Sequence, residues 1–390
     1  MKLKCIPEDF RVEERTLWAP EGGPYALYRL TKRGLGTPEV IEAILRRWAL
    51  ARDQVSFGGL KDRHAVTVQH VTIRRGPRRN LRQTSFELSY VGQCPRPFSS
   101  KDIAANAFVV VLRDLSDEDA AGVAGAVDAA VRQGVPNYFD EQRFGSVGAS
   151  GEFAARPWCG GDYQRALRLF LADPNPHDRP RQRRERTLIR EHWGDWARLT
   201  SELGRSPARK VVEFLADRPA DFRGAIAHVR QDLRSIALAA FQSFLWNQWL
   251  AALLRERFAS GRLLEIPVAG QALPFPRDPN AAELEELRAA ELPLPSARIR
   301  GREGPWKGLL ERVLGQYGLA LGRLRVKYPR DSFFSKGDRA ALVFPSGAES
   351  QLETDDLFSG RRKATLRFEL PRGSYATILT RRIAAVACAD

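Results

Sequence analysis

Strand-like alternation marks both ends of this 390-residue chain, and a long helical stretch separates them. Near the N-terminus, Phe10–Glu14 and Ala26–Leu30 read as strand and loop. Thr37 suits a helix N-cap and Pro38 the first turn, with Val40, Ile41, Ile44 and Trp48 on one face. Val55–Phe57 leads into a turn at Gly58–Gly59, and Ala65–Ile73 alternates as a strand. Asn106–Arg113 reads as a buried strand, and Ser116 with Asp119 forms a capping box that opens a helix to Arg132. Strands return near Arg325–Pro329 and at Ala364–Leu370, and a turn at Pro371–Ser374 opens a last helix carrying Ala376, Ile378, Leu379 and Ile383. The middle differs. Arg179, Arg181, Arg183, Arg184, Arg186 and Arg190 stand among prolines, Asp232–Phe258 reads as a long apolar helix, and proline- and glycine-rich connectors fill 266–308 around an acidic helix at 281–291. The length fits two or three domains, and this pattern predicts one α/β domain interrupted by an insertion.

Charge narrows the partner. Lys and Arg number 62 against 47 Asp and Glu, a net charge of +15. Such an excess repels itself and serves an acidic partner, nucleic acid first; arginine grips phosphate in pairs of hydrogen bonds and stacks on bases. A GC-rich genome would enrich arginine too. No run of about 18 apolar residues predicts a membrane span, and Met1–Asp9 has no apolar core of a secretory signal. Cys5, Cys94, Cys159 and Cys388 are far apart, as expected of reduced cytosolic thiols. The sequence holds no GxxxxGK[ST], no GxGxxG after a strand, no HExxH and no GxSxG, which argues against P-loop, dinucleotide, zinc-protease and serine-hydrolase chemistry. His64 and His70 fit packing or RNA contacts better than metal ligation.

One segment can carry chemistry. Gly58 and Gly59 allow a positive φ or a close backbone approach, and they lead to Asp62 between Lys61 and Arg63, then into a strand. A carboxylate among cations stays ionised and oriented, as a nucleophile or base requires. A turn of solvated charges would look the same.

The segment Gly59-Leu60-Lys61-Asp62-Arg63-His64-Ala65-Val66-Thr67-Val68-Gln69 resembles the G-x-K-D-x-x-A-x-T-x-Q signature of the TruD pseudouridine synthases. Five further stretches resemble the same family in the same order. They are Pro7-Glu8-Asp9-Phe10 with Val12 and Glu14; Asn106 with Phe108; Asn137-Tyr138-Phe139 with Gln142-Arg143-Phe144-Gly145; Phe244–Gln248; and Leu370-Pro371 with Gly373-Ser374-Tyr375-Ala376-Thr377. The basic run before Asn106 departs from the family, being shortened to Arg96–Ile103, with Ala105 in place of a glycine.

The resemblance implies an α/β (α+β) fold, a pseudouridine-synthase core with a mixed, largely antiparallel sheet. The core would comprise residues 1–150 and 325–390, an insertion domain 155–320, and RNA would lie in a basic cleft between them. The family's catalytic aspartate falls on Asp62 and its uridine-binding positions on Phe10, Asn106 and Tyr375. Phe108 stands beside them, and Lys4 and Lys61 supply cations near the carboxylate. Asn137 and Arg143 would brace the surrounding loops. The chemistry fits unaided, since aromatic faces stack on a flipped base and an amide matches a uracil edge. As core residues, Phe10 and Phe108 would look the same. The family implies tRNA as partner, uridine 13 as leading target, no metal, no nucleotide or other cofactor, no membrane, and a cytoplasmic monomer. Two other classes stay open: a metal-dependent nuclease using Glu8, Asp9, Glu13, Glu14 and Asp62, and an RNA-binding protein without catalysis. The Arg179–Arg190 stretch either docks RNA or is a solvated linker.

Overall fold

The computed structural model describes residues 1–388. The chain forms two compact units, Met1–Val135 with Leu342–Asp390, and Pro136–Ala341. Residues 136–150 and 325–341, assigned to the core on sequence, therefore fall in the second unit.

The first unit is built on a ten-stranded sheet. Its strands are β1 (Lys2–Leu3), β2 (Phe10–Arg15), β3 (Tyr25–Arg33), β4 (Val55–Phe57), β5 (Val66–Arg74), β6 (Leu81–Gln83), β7 (Phe86–Cys94), β8 (Ala105–Leu115), β9 (Ser346–Thr354) and β10 (Arg362–Pro371). They run in the order β9-β10-β8-β2-β5-β3-β7-β6, with β1 beside β8 and β4 beside β5. Among the described residues of this sheet, only the β2–β5 pairing is parallel; the others are antiparallel. The sheet is thus mixed and largely antiparallel, as the family resemblance implies.

The helices of this unit are α1 (Thr37–Trp48) and α2 (Asp117–Gln133), which pack on the sheet, and α3 (Ala376–Ala387), which packs on α2. Val40, Ile41 and Ile44 of α1 enter one core with Ala26, Tyr28 and Leu30 of β3 and Val71 and Ile73 of β5. Each such side chain contributes about 1.5–3 kcal/mol on burial, so the 3.6-residue spacing fixes where α1 lies. Its N-cap is Gly36, not Thr37. The Gly36 N–H is taken by the Glu39 carboxylate, which frees the Thr37 hydroxyl for another task. The Ser116–Asp119 capping box of α2 forms as predicted.

The second unit is mainly helical around Gln231–Arg257, whose Phe241, Leu245, Trp246, Trp249 and Leu250 are buried. Two expectations fail here. At the start of 266–308, Leu263–Val268 and Gln271–Pro276 form a hairpin rather than connectors. Its two-residue turn, Ala269–Gly270, has φ of 51° and 76°, the geometry usually signalled by Asn-Gly, and prolines in both strands hide it further. Conversely, Arg325–Pro329 forms no strand. Helical side chains hold it instead: Trp158 Nε1 donates to the Tyr328 carbonyl at 2.9 Å and Arg223 stacks on the Tyr328 ring. The arginine stretch is no linker: Pro180–Glu191 is a helix, begun by Pro180 and anchored by buried Ile189. Among the described residues no disulfide links Cys5, Cys94, Cys159 or Cys388. Among the described residues, no helix is long and apolar enough to cross a membrane.

Candidate active site

Asp62 sits in the loop between β4 and β5, and neighbouring elements fix that loop's backbone. The Lys61 N–H donates to Thr37 Oγ1 at 3.0 Å, Thr37 Oγ1 donates to Gln69 Oε1 at 2.8 Å, and Gln69 Nε2 donates to the Gly59 carbonyl at 3.2 Å. Thr37 and Gln69 are fully buried, so helix start and strand clamp the loop from two sides. Lys32 of β3 donates to the Asp62 carbonyl at 2.7 Å. Gly58 is required by close approach: a Cβ there would stand 2.5 Å from Ile103 Cδ1.

The Asp62 carboxylate meets a cation from the N-terminal segment. Lys4 Nζ lies 2.7 Å from Asp62 Oδ2 and 4.0 Å from the centre of the Phe10 ring. Both members of the pair are about a quarter exposed, so solvent and substrate can reach them. Lys4 has a left-handed backbone, φ 55°, which a non-glycine residue adopts rarely and which places its ammonium over both partners. His64 Nε2 is 2.9 Å from the Lys4 carbonyl, so the loop also steadies the segment that supplies its cation.

A second polar group lies where β2 and β8 pair. Their register sets Glu14 opposite Asn106 and Val12 opposite Phe108. Lys61 Nζ bridges this pair, 2.9 Å from Asn106 Oδ1 and 3.0 Å from Glu14 Oε1. The Glu14 side chain is fully buried and accepts the His70 N–H at 2.8 Å. Burial pushes Glu14 towards its acid form, but hydrogen bonds from His70 and the Lys61 charge outweigh it and hold the pKa below the ordinary carboxylate value. Since Lys61 takes Asn106 Oδ1, the amide turns its NH2 donors away from the lysine, an orientation assigned from this network.

Phe10 and Phe108 are 5% and 8% exposed and meet edge-on at 6.1 Å, and Phe108 stacks on Phe368 at 5.4 Å. They belong to the core, with Lys4 on the Phe10 ring. Tyr375 is half-buried at the N-cap of α3. β10 sets Leu370 opposite Asn106, and the turn through Gly373 (φ 86°) then delivers Tyr375. Asn137 and Arg143 lie in the second unit. Asn137 Oδ1 accepts Arg339 Nη2 at 2.6 Å, and Arg143 Nε donates to Ser243 Oγ at 3.1 Å. Asn247 Oδ1 accepts the Phe139 N–H and its Nδ2 donates to the Phe139 carbonyl, both at 2.8 Å, so the Asn137–Gly145 motif is braced within that unit.

The carboxylates of the nuclease alternative do not converge. Glu8 pairs with Arg33, Asp9 with Arg113, Glu13 with Arg29, Glu14 with Lys61 and Asp62 with Lys4. Among the described residues, no group of three His, Cys, Asp or Glu side chains is arranged to hold a metal ion.

Sequence reasoning missed Lys32 and the roles of Thr37, Gln69 and Glu14. Period-two alternation puts Lys32 on the same face as Ala26, Tyr28 and Leu30, a signal that could have found it.

The pinned loop thus carries a carboxylate paired with Lys4 and, one residue earlier, a lysine that hydrogen-bonds the Asn106 amide; a carboxylate so held is of the kind that acid–base or nucleophilic chemistry uses. The family model of tRNA pseudouridine synthase D (TruD) matches residues 1–383. A probable tRNA pseudouridine synthase D 2 of Methanocaldococcus jannaschii is 28% identical over 98% of this chain and 91% of its own length. A tRNA pseudouridine synthase D of Aquifex aeolicus is 28% identical over 98% of both. In fold, the chain is similar to the crystal structure of a Methanosarcina mazei protein provisionally assigned as tRNA pseudouridine synthase D, with a TM-score of 0.73 and 23% identity over 99% of this chain and 93% of that one. The chain belongs to the tRNA pseudouridine synthase D family. It is a pseudouridine synthase, and so an isomerase.

Proposed function

We propose that this protein converts uridine to pseudouridine in tRNA, with uridine 13 as its target and Asp62 as its catalytic residue. The observation that carries the assignment is the Asp62 carboxylate itself, 2.7 Å from Lys4 on a loop whose backbone is held from β3, α1 and β5. The uridine flips out of the RNA stack to reach it. Asp62 then attacks the ribose or C6 of the base, or removes a ribose proton. Each route breaks the bond between N1 and C1′, turns the uracil, and joins C5 to C1′. N1 gains a proton as C5 loses one, so the product is an isomer and no group donor is consumed.

Asn106, with its NH2 turned from Lys61, offers donors to a uracil carbonyl. Tyr375 supplies a further aromatic surface, while Phe10 and Phe108 are buried core residues. The second unit holds RNA through phosphate contacts, which position without reading sequence. Its exposed Arg181, Arg183 and Arg184 stand on Pro180–Glu191. Arg181 donates to the Arg205 carbonyl, and Arg205 lines a groove of about 750 Å3 together with Arg209, Lys210, Glu213, His228 and Arg230. The test is pseudouridine mapping of total RNA from cells with and without the gene. Loss of one tRNA pseudouridine, at position 13, is expected; an unchanged tRNA map would overturn the proposal.

A further inference from the structure

A lysine that sequence reasoning passed over stands behind the Asp62 loop. β3 places Ala26, Tyr28, Leu30 and Lys32 on its buried face; the first three are core residues, and Lys32 is only 1% exposed. An ammonium withdrawn from water must be met by oxygens. Lys32 donates to three backbone carbonyls, those of Leu35 at 2.7 Å, Asp62 at 2.7 Å and Lys61 at 3.4 Å. One cation therefore ties β3, the approach to α1 and the loop that carries Asp62. Its neighbours in register, Thr67 on β5 and Phe86 on β7, carry no charge. Of the charged groups around it, Asp62 and Glu39 favour its ammonium and Lys61 opposes it.

We propose that Lys32 is a positioning residue for the isomerisation, its three-donor ammonium holding the Lys61–Asp62 backbone so that the carboxylate meets the flipped uridine. The inference rests on Asp62 being catalytic. A neutral amine keeps only two N–H donors and loses its charge, so deprotonation loosens the hold. Burial, working against the pull of Asp62 and Glu39, brings the Lys32 pKa from 10.5 down to about 8. Between those values the unfolded chain binds more protons than the folded one, so the contribution of Lys32 to stability rises with pH. Turnover falls over the same range. A residue that only supported the fold would not drive stability and turnover in opposite directions.

The experiment is a single-turnover pH–rate profile at saturating tRNA for wild type, Lys32→Met and Asp62→Asn, with thermal midpoint and tRNA Kd measured in parallel. The wild-type rate is expected to fall with an apparent pKa near that of Lys32, about 8. Over that range its midpoint gains on that of Lys32→Met. At neutral pH, Lys32→Met should be about ten- to a hundredfold slower, with unchanged Kd and no alkaline limb. If Lys32→Met does not fold, the wild-type profile carries the test together with Thr37→Val, which removes the acceptor of the Lys61 N–H and should slow turnover while keeping the limb. A flat wild-type profile, a limb that persists in Lys32→Met, or a rate loss that merely tracks its unfolded fraction would overturn the inference. Activity in Asp62→Asn would instead overturn the catalytic reading. An inactive Asp62→Asn beside a wild-type-like Lys32→Met would overturn only the role of Lys32.

Discussion

In the first unit Lys4, Lys32, Lys61 and Arg113 each aim a cation at oxygens of their own unit, whereas in the second the helix Pro180–Glu191 leaves Arg181, Arg183 and Arg184 at the surface. Inward cations shape backbone and carboxylates. They are buried or half-buried, so their effect survives salt. The outward arginines, of which Arg181 also donates to the Arg205 carbonyl, are exposed and suit a polyanion. The proposed function assigns the isomerisation to the first set and the docking of RNA to the second.

The largest stability effect is expected from Arg113. Its side chain is 5% exposed and donates to Asp9 at 2.8 Å and Asp355 at 2.7 Å, both fully or nearly fully buried, and to Asp356 at 2.9 Å. Arg113→Met leaves buried carboxylates without their cation and should destabilise the first unit by about 3–5 kcal/mol, read from urea unfolding. Arg184→Met in the second unit should change stability by less than about 0.5 kcal/mol. Equal losses at the two positions would erase the contrast.

Acid should act next, and on the first unit. Folding lowers the pKa of Glu14 from 4.5 despite its burial, and those of Asp355 and Asp356 from 3.8. The stability these groups contribute is therefore full above their unfolded values and is lost as pH falls through the lowered folded ones. Unfolding free energy should drop steeply with pH below about 4.5, and Glu14→Gln should make that drop shallower. An unchanged slope in Glu14→Gln would place the acid sensitivity elsewhere.

The smallest effect concerns the arginine helix. Arg181, Arg183 and Arg184 replaced together by Ser should raise KM for tRNA and leave kcat at saturation, the signature of lost uniform binding. The salt slope of log Kd should fall by about 0.7–0.9 for each phosphate contact removed. A normal KM and slope would mark the helix as unrelated to RNA, and a collapsed kcat would bring it to the chemistry.

The two units also differed in legibility. In the first, alternation at Ala65–Ile73 and Ala364–Leu370 and the apolar face of α1 exposed the strands and helix, because one-sided burial imposes those periods. In the second, the Ala269–Gly270 turn and strand prolines concealed a hairpin, and proline with arginine concealed the helix Pro180–Glu191. The segment around Asp62 stood out by its glycines and charges. Its supports did not, because Thr37, Gln69 and Lys32 act through backbone groups that become neighbours only when β3, α1 and β5 assemble. Glu14 entered the sequence reading as a candidate metal ligand; the β2–β8 register makes it the partner of Lys61 instead.

On the proposed function, Asp62 performs the chemistry while the rest of the first unit holds it in place. The decisive measurement is single-turnover pseudouridine formation in Asp62→Asn at saturating tRNA, with tRNA affinity measured on the same preparation. The substitution keeps the shape of the side chain and removes its charge and its nucleophile. No product with near wild-type affinity is the predicted result; a rate within about tenfold of wild type, roughly 1.4 kcal/mol of barrier, would contradict it.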